Sequence, residues 1–69
     1  MESSIKNWTI SLNDRKTELC FTNGYEVCYA FYDMKQDTLF FDRVLAPKFA
    51  QNYAKKWARE NGMIDIYNS

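Results

Sequence analysis

The 69-residue chain has no histidine, one proline, two glycines, two cysteines and a formal net charge of zero. Without histidine there is no imidazole for acid–base catalysis, for a His-based triad or for most zinc sites. The glycines, Gly24 and Gly62, stand alone, so there is no Gly-rich loop to cradle a phosphate. Cys20 and Cys28 are too few for a disulfide framework and have no zinc-site spacing. No apolar run approaches the roughly 20 residues needed to span a bilayer. The opening MESSIKNWTI lacks the basic and apolar regions of a secretion signal. These absences predict a non-enzymatic cytoplasmic protein with free thiols, no cofactor, no metal and no membrane association.

A balanced total of nine bases and nine acids also counts against a free-standing nucleic-acid binder. The charges are nevertheless segregated. Glu18, Glu26, Asp33, Asp37 and Asp42 face Lys35 alone in the stretch 17–42. Arg43, Lys48, Lys55, Lys56 and Arg59 follow without an acid up to position 59. Hydrophobic residues make up 46% of the chain and aromatics 17%, which argues for an ordered globular domain. A single domain of this length lies near the lower limit for a self-sufficient core, so the aromatics need burial within the chain or against a partner.

Trp8, Ile10 and Leu12 alternate with Thr9 and Ser11, the period-2 pattern of a strand with one buried face. A second strand is predicted over Thr17–Thr22. A four-residue NDRK loop would set Leu12 opposite Thr17 and Ile10 opposite Leu19, gathering one apolar layer. Asn23-Gly24 is a strong hairpin signal, leading into a third strand from Tyr25 to about Asp33. After MKQD, Thr38–Asp42 supplies a fourth. Ala46, Phe49, Ala50, Tyr53, Ala54, Trp57 and Ala58 then recur at helical spacing. Pro47 suits the start of that helix and Gly62 its left-handed cap. Met63–Tyr67 alternates and is expected either as a short fifth strand, the preferred reading, or as a packed tail. The fold class expected is α+β: a four-stranded antiparallel meander with one C-terminal helix on one face. Phe49, Tyr53 and Trp57 would lie across the sheet, and Lys48, Lys55 and Arg59 on the opposite side, with Lys56 at the edge.

The third strand poses the functional question, because it is apolar on both faces. A two-residue Asn-Gly loop puts Cys28, Ala30 and Tyr32 under the helix and leaves Tyr25, Val27, Tyr29, Phe31 and Phe40 outside. A three-residue loop reverses the two sets. Either way an apolar patch stays uncovered, and such patches mark interaction sites. Cys20 and Cys28 are offset in both registers, so no disulfide between them is expected.

The segment YEVCYAFYD…FFDRVLAPKFAQNYAKKW is similar in layout to the small N-terminal arm-binding domains of tyrosine recombinases, which run strand, turn, strand and then an Ala- and aromatic-striped helix. The likeness covers about half the chain. In that family the sheet carries basic DNA-contacting residues; here Glu26 and acids at the turn stand at those positions, so no DNA-contacting role carries over. The expected function is therefore that of a protein-interaction module. It would dock Tyr25, Val27, Tyr29, Phe31 and Phe40 on a protein partner, or on a second copy as a homodimer. Small aromatic-rich chains of this kind are common among phage and mobile-element proteins that inhibit or redirect host machinery. The alternative is a nucleic-acid-binding regulator using Lys48, Lys55, Lys56 and Arg59.

Overall fold

A computed structural model describes residues 1–67. Five strands form one antiparallel sheet in chain order: β1 (Glu2–Ile5), β2 (Trp8–Leu12), β3 (Leu19–Thr22), β4 (Val27–Asp33) and β5 (Thr38–Phe41). The helix α1 (Lys48–Glu60) packs against one face. The expected α+β meander is thus present, with its fifth strand at the N-terminal edge. Residues 63–67, for which the alternation prefers a short edge strand over a packed tail, contain no strand: they follow the helix as the tail. Their backbone bonds are taken locally, as Met63 N–H closes the helix end on the Ala58 carbonyl (2.9 Å) and Ile64 N–H reaches the Lys16 carbonyl.

Two of the hairpins are shaped by an asparagine side chain. Asn13 Oδ1 accepts from the N–H groups of Thr17 (2.8 Å) and Glu18 (3.0 Å), which lengthens the β2–β3 loop beyond NDRK. Leu12 consequently faces Leu19 and Ile10 faces Phe21, two residues from the expected pairing. A shift of two preserves the faces, so the apolar layer survives. In the β3–β4 hairpin Asn23 Oδ1 accepts from Tyr25 and Glu26 N–H (3.0 and 2.8 Å). The tip is then Gly24–Tyr25 rather than Asn23–Gly24, and Gly24 takes φ 94°, which Gly adopts without a Cβ penalty. Thr22 pairs with Val27 and Phe21 with Cys28.

This register decides the faces. Trp8, Ile10, Leu12, Leu19, Phe21, Cys28, Ala30 and Tyr32 are buried beneath the helix. Phe21 and Phe41 rings meet there at 5.3 Å in a tilted contact. Against them the helix presents Ala50, Ala54 and Ala58, all buried. Sequence periodicity predicts Phe49, Tyr53 and Trp57 across the sheet; the alanine row takes that place because small side chains let the helix approach a layer already filled by Phe21, Ile10 and Leu19. Tyr53 and Trp57 are only partly buried. Tyr53 shares a hydrogen bond with Ser3 Oγ of β1, and Lys6 Nζ lies 4.5 Å from the centre of the Phe49 ring.

Pro47 is the N-cap residue, its carbonyl accepting from Ala50 and Gln51 N–H (3.0 Å each). Gly62 (φ 78°) ends the helix in a Schellman motif, its own N–H bonded to the Arg59 carbonyl. The close helix–sheet approach yields a direct expectation. Ala54→Leu forces extra methylenes into a filled layer and should destabilise by about 1–3 kcal/mol. Asn52→Leu, on the exposed side of the same helix, should change stability by less than about 0.5 kcal/mol. Urea denaturation of the two variants provides the comparison.

Candidate functional site

The sheet face turned away from the helix follows from the pairing. Alternation along each strand places Ser4, Thr9, Thr22 and Val27 in one cross-strand row, and Glu2, Ser11, Cys20 and Tyr29 in the next. Phe31 and Phe40 face each other across β4 and β5. The face is therefore divided. Its β1–β3 half carries Ser4, Thr9, Ser11 and Thr22 with Glu2 and Cys20, and its β4–β5 half is aromatic.

Four of the expected docking residues, Val27, Tyr29, Phe31 and Phe40, come together on that aromatic half. Tyr29 is 40% exposed and Phe40 39%, while Val27 and Phe31 are partly buried among their neighbours. Tyr25, expected as the first residue of the strand, instead sits at the hairpin tip and is 94% exposed. It borders an open hollow of about 320 Å³ shared with Glu26, Val27, Arg43 and Leu45. Sequence reasoning missed Tyr67, whose ring lies 5.4 Å from that of Phe40 and extends the aromatic surface. The fifth-strand reading of the tail hid it.

The tail reaches Phe40 because Asp65 anchors it. Buried Asp65 accepts from Met34 N–H and from Tyr67 N–H (2.8 Å each). The β4–β5 turn next to it is held by Asp33, which accepts from Lys35 and Gln36 N–H. At the other end of β5, Asp42 Oδ1 accepts from Tyr29 N–H (2.9 Å). That bond, foremost, holds the Asp42 carboxyl below its ordinary range and keeps it ionised beside the aromatic half.

Cys20 is on this face and Cys28 on the other; both are free. Burial is the main cause that pushes the Cys20 thiol up, and Glu18 and Cys28 add to it, so its thiolate is scarce at neutral pH. Among the described residues no three His, Cys, Asp or Glu side chains gather to hold a metal ion. No helix among them is long and apolar enough to cross a membrane.

The basic residues of the alternative site divide into two sets. Sequence periodicity sets Lys48, Lys55 and Arg59 opposite the buried stripe. With the alanine row facing the sheet, they instead flank it on the β5 side. Asp37, in the β4–β5 turn, contacts Lys55 Nζ (3.4 Å) and Arg59 (3.1 Å). It also accepts from the buried Tyr32 hydroxyl (2.5 Å). Lys48 borders a depression with Asp37, Gln51 and Asn52, and Lys56 a separate one with Tyr53, Trp57 and Glu60. Protein-family models, curated proteins and solved structures were all compared with the chain, and none matches.

Asp37 gives a pH signature. The Tyr32 hydroxyl first, then Arg59 and Lys55, hold its carboxyl below the ordinary value of 3.8. A depressed carboxylate stabilises the fold fully above the unfolded value, and this contribution is lost as pH falls through the folded one. Asp37→Asn also tolerates the left-handed φ of 50°. The variant should therefore melt below wild type at neutral pH, by a modest amount because the group is half-exposed. The two melting curves should converge below the ordinary carboxylate range, as followed by circular dichroism.

Proposed function

We propose that this chain is a small protein-interaction module that acts in the cytoplasm by docking the outer aromatic half of its sheet on a protein partner. The carrying observation is that Tyr29 and Phe40 stay about two-fifths exposed on a regular sheet face that the helix does not cover. The same rows on β1–β3 carry no aromatic side chain, only Ser4, Thr9, Ser11, Thr22, Glu2 and Cys20, so the aromatic half stands out from its own sheet. Bringing each half-exposed ring to full burial contributes about 1 kcal/mol, and aromatic residues are the usual anchors of interfaces. Val27 and Phe31 flank Tyr29 along β4 and are partly buried, Phe31 directly opposite Phe40. The chain would thereby inhibit or redirect a larger assembly, in the manner of small regulators carried by phages and mobile elements.

The basic helix supports the nucleic-acid alternative less well. Lys55 and Arg59 are already engaged by Asp37, and Lys56 lies away from Lys48. Site-resolved photo-crosslinking in the native cell separates these readings. Benzoylphenylalanine at position 29 or 40 should yield a discrete protein adduct, while the same group at position 52 on the helix should yield none. Adducts at 52 alone, or none at 29 and 40, would contradict docking through the sheet.

A further inference from the structure

Resting on that docking reading, we infer that the occupant of the aromatic half is a partner surface with an apolar centre rimmed by Lys and Arg, rather than a second copy of this chain. The argument is the distribution of charge around the face. Glu2 lies in the cross-strand row of Tyr29. Glu18 precedes β3 and acts electrostatically on Cys20 of the same row. Asp42 borders Tyr29 at the β5 end, and Glu26 lines the hollow beside Val27.

No strand position on this face is Lys or Arg. Arg43, the cation nearest the hollow, donates to the Val27 carbonyl (3.1 Å). The remaining bases of the C-terminal half lie on the helix, on the far side of the sheet. A two-fold dimer sets identical patches against each other. Here the charges in and around the patch are Glu2, Glu18, Glu26 and Asp42 with Arg43 as the nearest cation, so such a dimer brings acids of one copy towards acids of the other, and like charges across an interface disfavour it. A basic rim converts each of those repulsions into attraction. Its guanidinium groups would also find ring faces, Tyr29 and Phe40, beside carboxylates. The overall neutrality of the chain conceals this polarity, because four of the nine bases are held on the helix and none of the other five occupies a strand position on this face.

The test uses a short synthetic peptide alternating Arg with Leu, and its Glu–Leu counterpart, titrated into the ¹⁵N-labelled protein. The Arg peptide should produce saturable shifts at Tyr29, Phe31 and Phe40 and bind at least about tenfold more tightly than the Glu peptide. Raising salt should narrow that gap. Glu2→Lys/Glu18→Lys changes exposed or loop positions, and its fold is verified by its unperturbed helix and core resonances. It should weaken the Arg peptide at least about fivefold. Equal binding of both peptides, or no loss in the charge-reversed variant, overturns the basic-partner inference and leaves docking through the face standing. Concentration-dependent dimerisation with shifts on the same residues identifies a second copy as the occupant and likewise overturns it. Absence of shifts on the face, or shifts confined to the helix, overturns it too; crosslinking at positions 29 and 40 then reports separately on whether the face docks at all.

Discussion

The pairing of Phe21 with Cys28 is the constraint on which the rest of the molecule depends. Side chains alternate along a strand, so one pair assigns the whole of β4. With Cys28 opposite Phe21, the small residues Cys28 and Ala30 lie under the helix, and Tyr32 points the same way. Val27, Tyr29 and Phe31 are thereby sent to the outer face. The pairing is held by Asn23, whose side chain binds the N–H groups of Tyr25 and Glu26 and moves the hairpin tip to Gly24–Tyr25. A slip of one residue would exchange the two faces and bring Tyr29 and Phe31 against the alanine row.

The helix depends on this choice. Ala50, Ala54 and Ala58 offer little volume, and they suit a layer in which Phe21, Ile10, Leu19 and Tyr32 supply the bulk. Close approach in turn brings the helix flank to the β4–β5 turn, where Asp37 joins Tyr32, Lys55 and Arg59. These contacts use up the helix's contribution on the inner face. One helix covers one face of a sheet this size, and the outer face receives from the described chain only Tyr67, placed by buried Asp65. The functional proposal follows from that one-sided cover.

Most of this architecture was legible in the residues. Alternation in Trp8–Leu12 and Thr17–Thr22 identified two strands, and the alanine and aromatic spacing identified the helix, with Gly62 at its cap. The two-faced third strand pointed to an uncovered patch but left open which of its two sets of side chains formed it; the pairing of Thr22 with Val27 decides for Val27, Tyr29 and Phe31. Other features left little trace. Strand β1 reads ESSI, with Ile5 as its one apolar residue, and its turn places Lys6 at φ 52°, a conformation no sequence rule assigns to lysine. The loop after β2 was misjudged because Asn13 reaches four and five residues ahead, one local turn among several that NDRK allows. Periodicity also could not show that alanines, rather than the larger aromatics, would face the sheet. That depends on how much volume the other layer already supplies.

The two cysteines offer the most direct test of the two-faced sheet, since they report opposite faces without any substitution. Native-state alkylation with a small neutral reagent at mildly alkaline pH, resolved by peptide mass spectrometry, measures each thiol separately. Cys20, partly exposed on the outer face, should react at a rate independent of stability, slowed only by its raised pKa. Cys28, fully buried under the helix, should react only as fast as the protein unfolds. Reaction of Cys28 ahead of Cys20 in the folded protein would put β4 in the opposite register and contradict the assignment of Tyr29 and Phe31 to the open face.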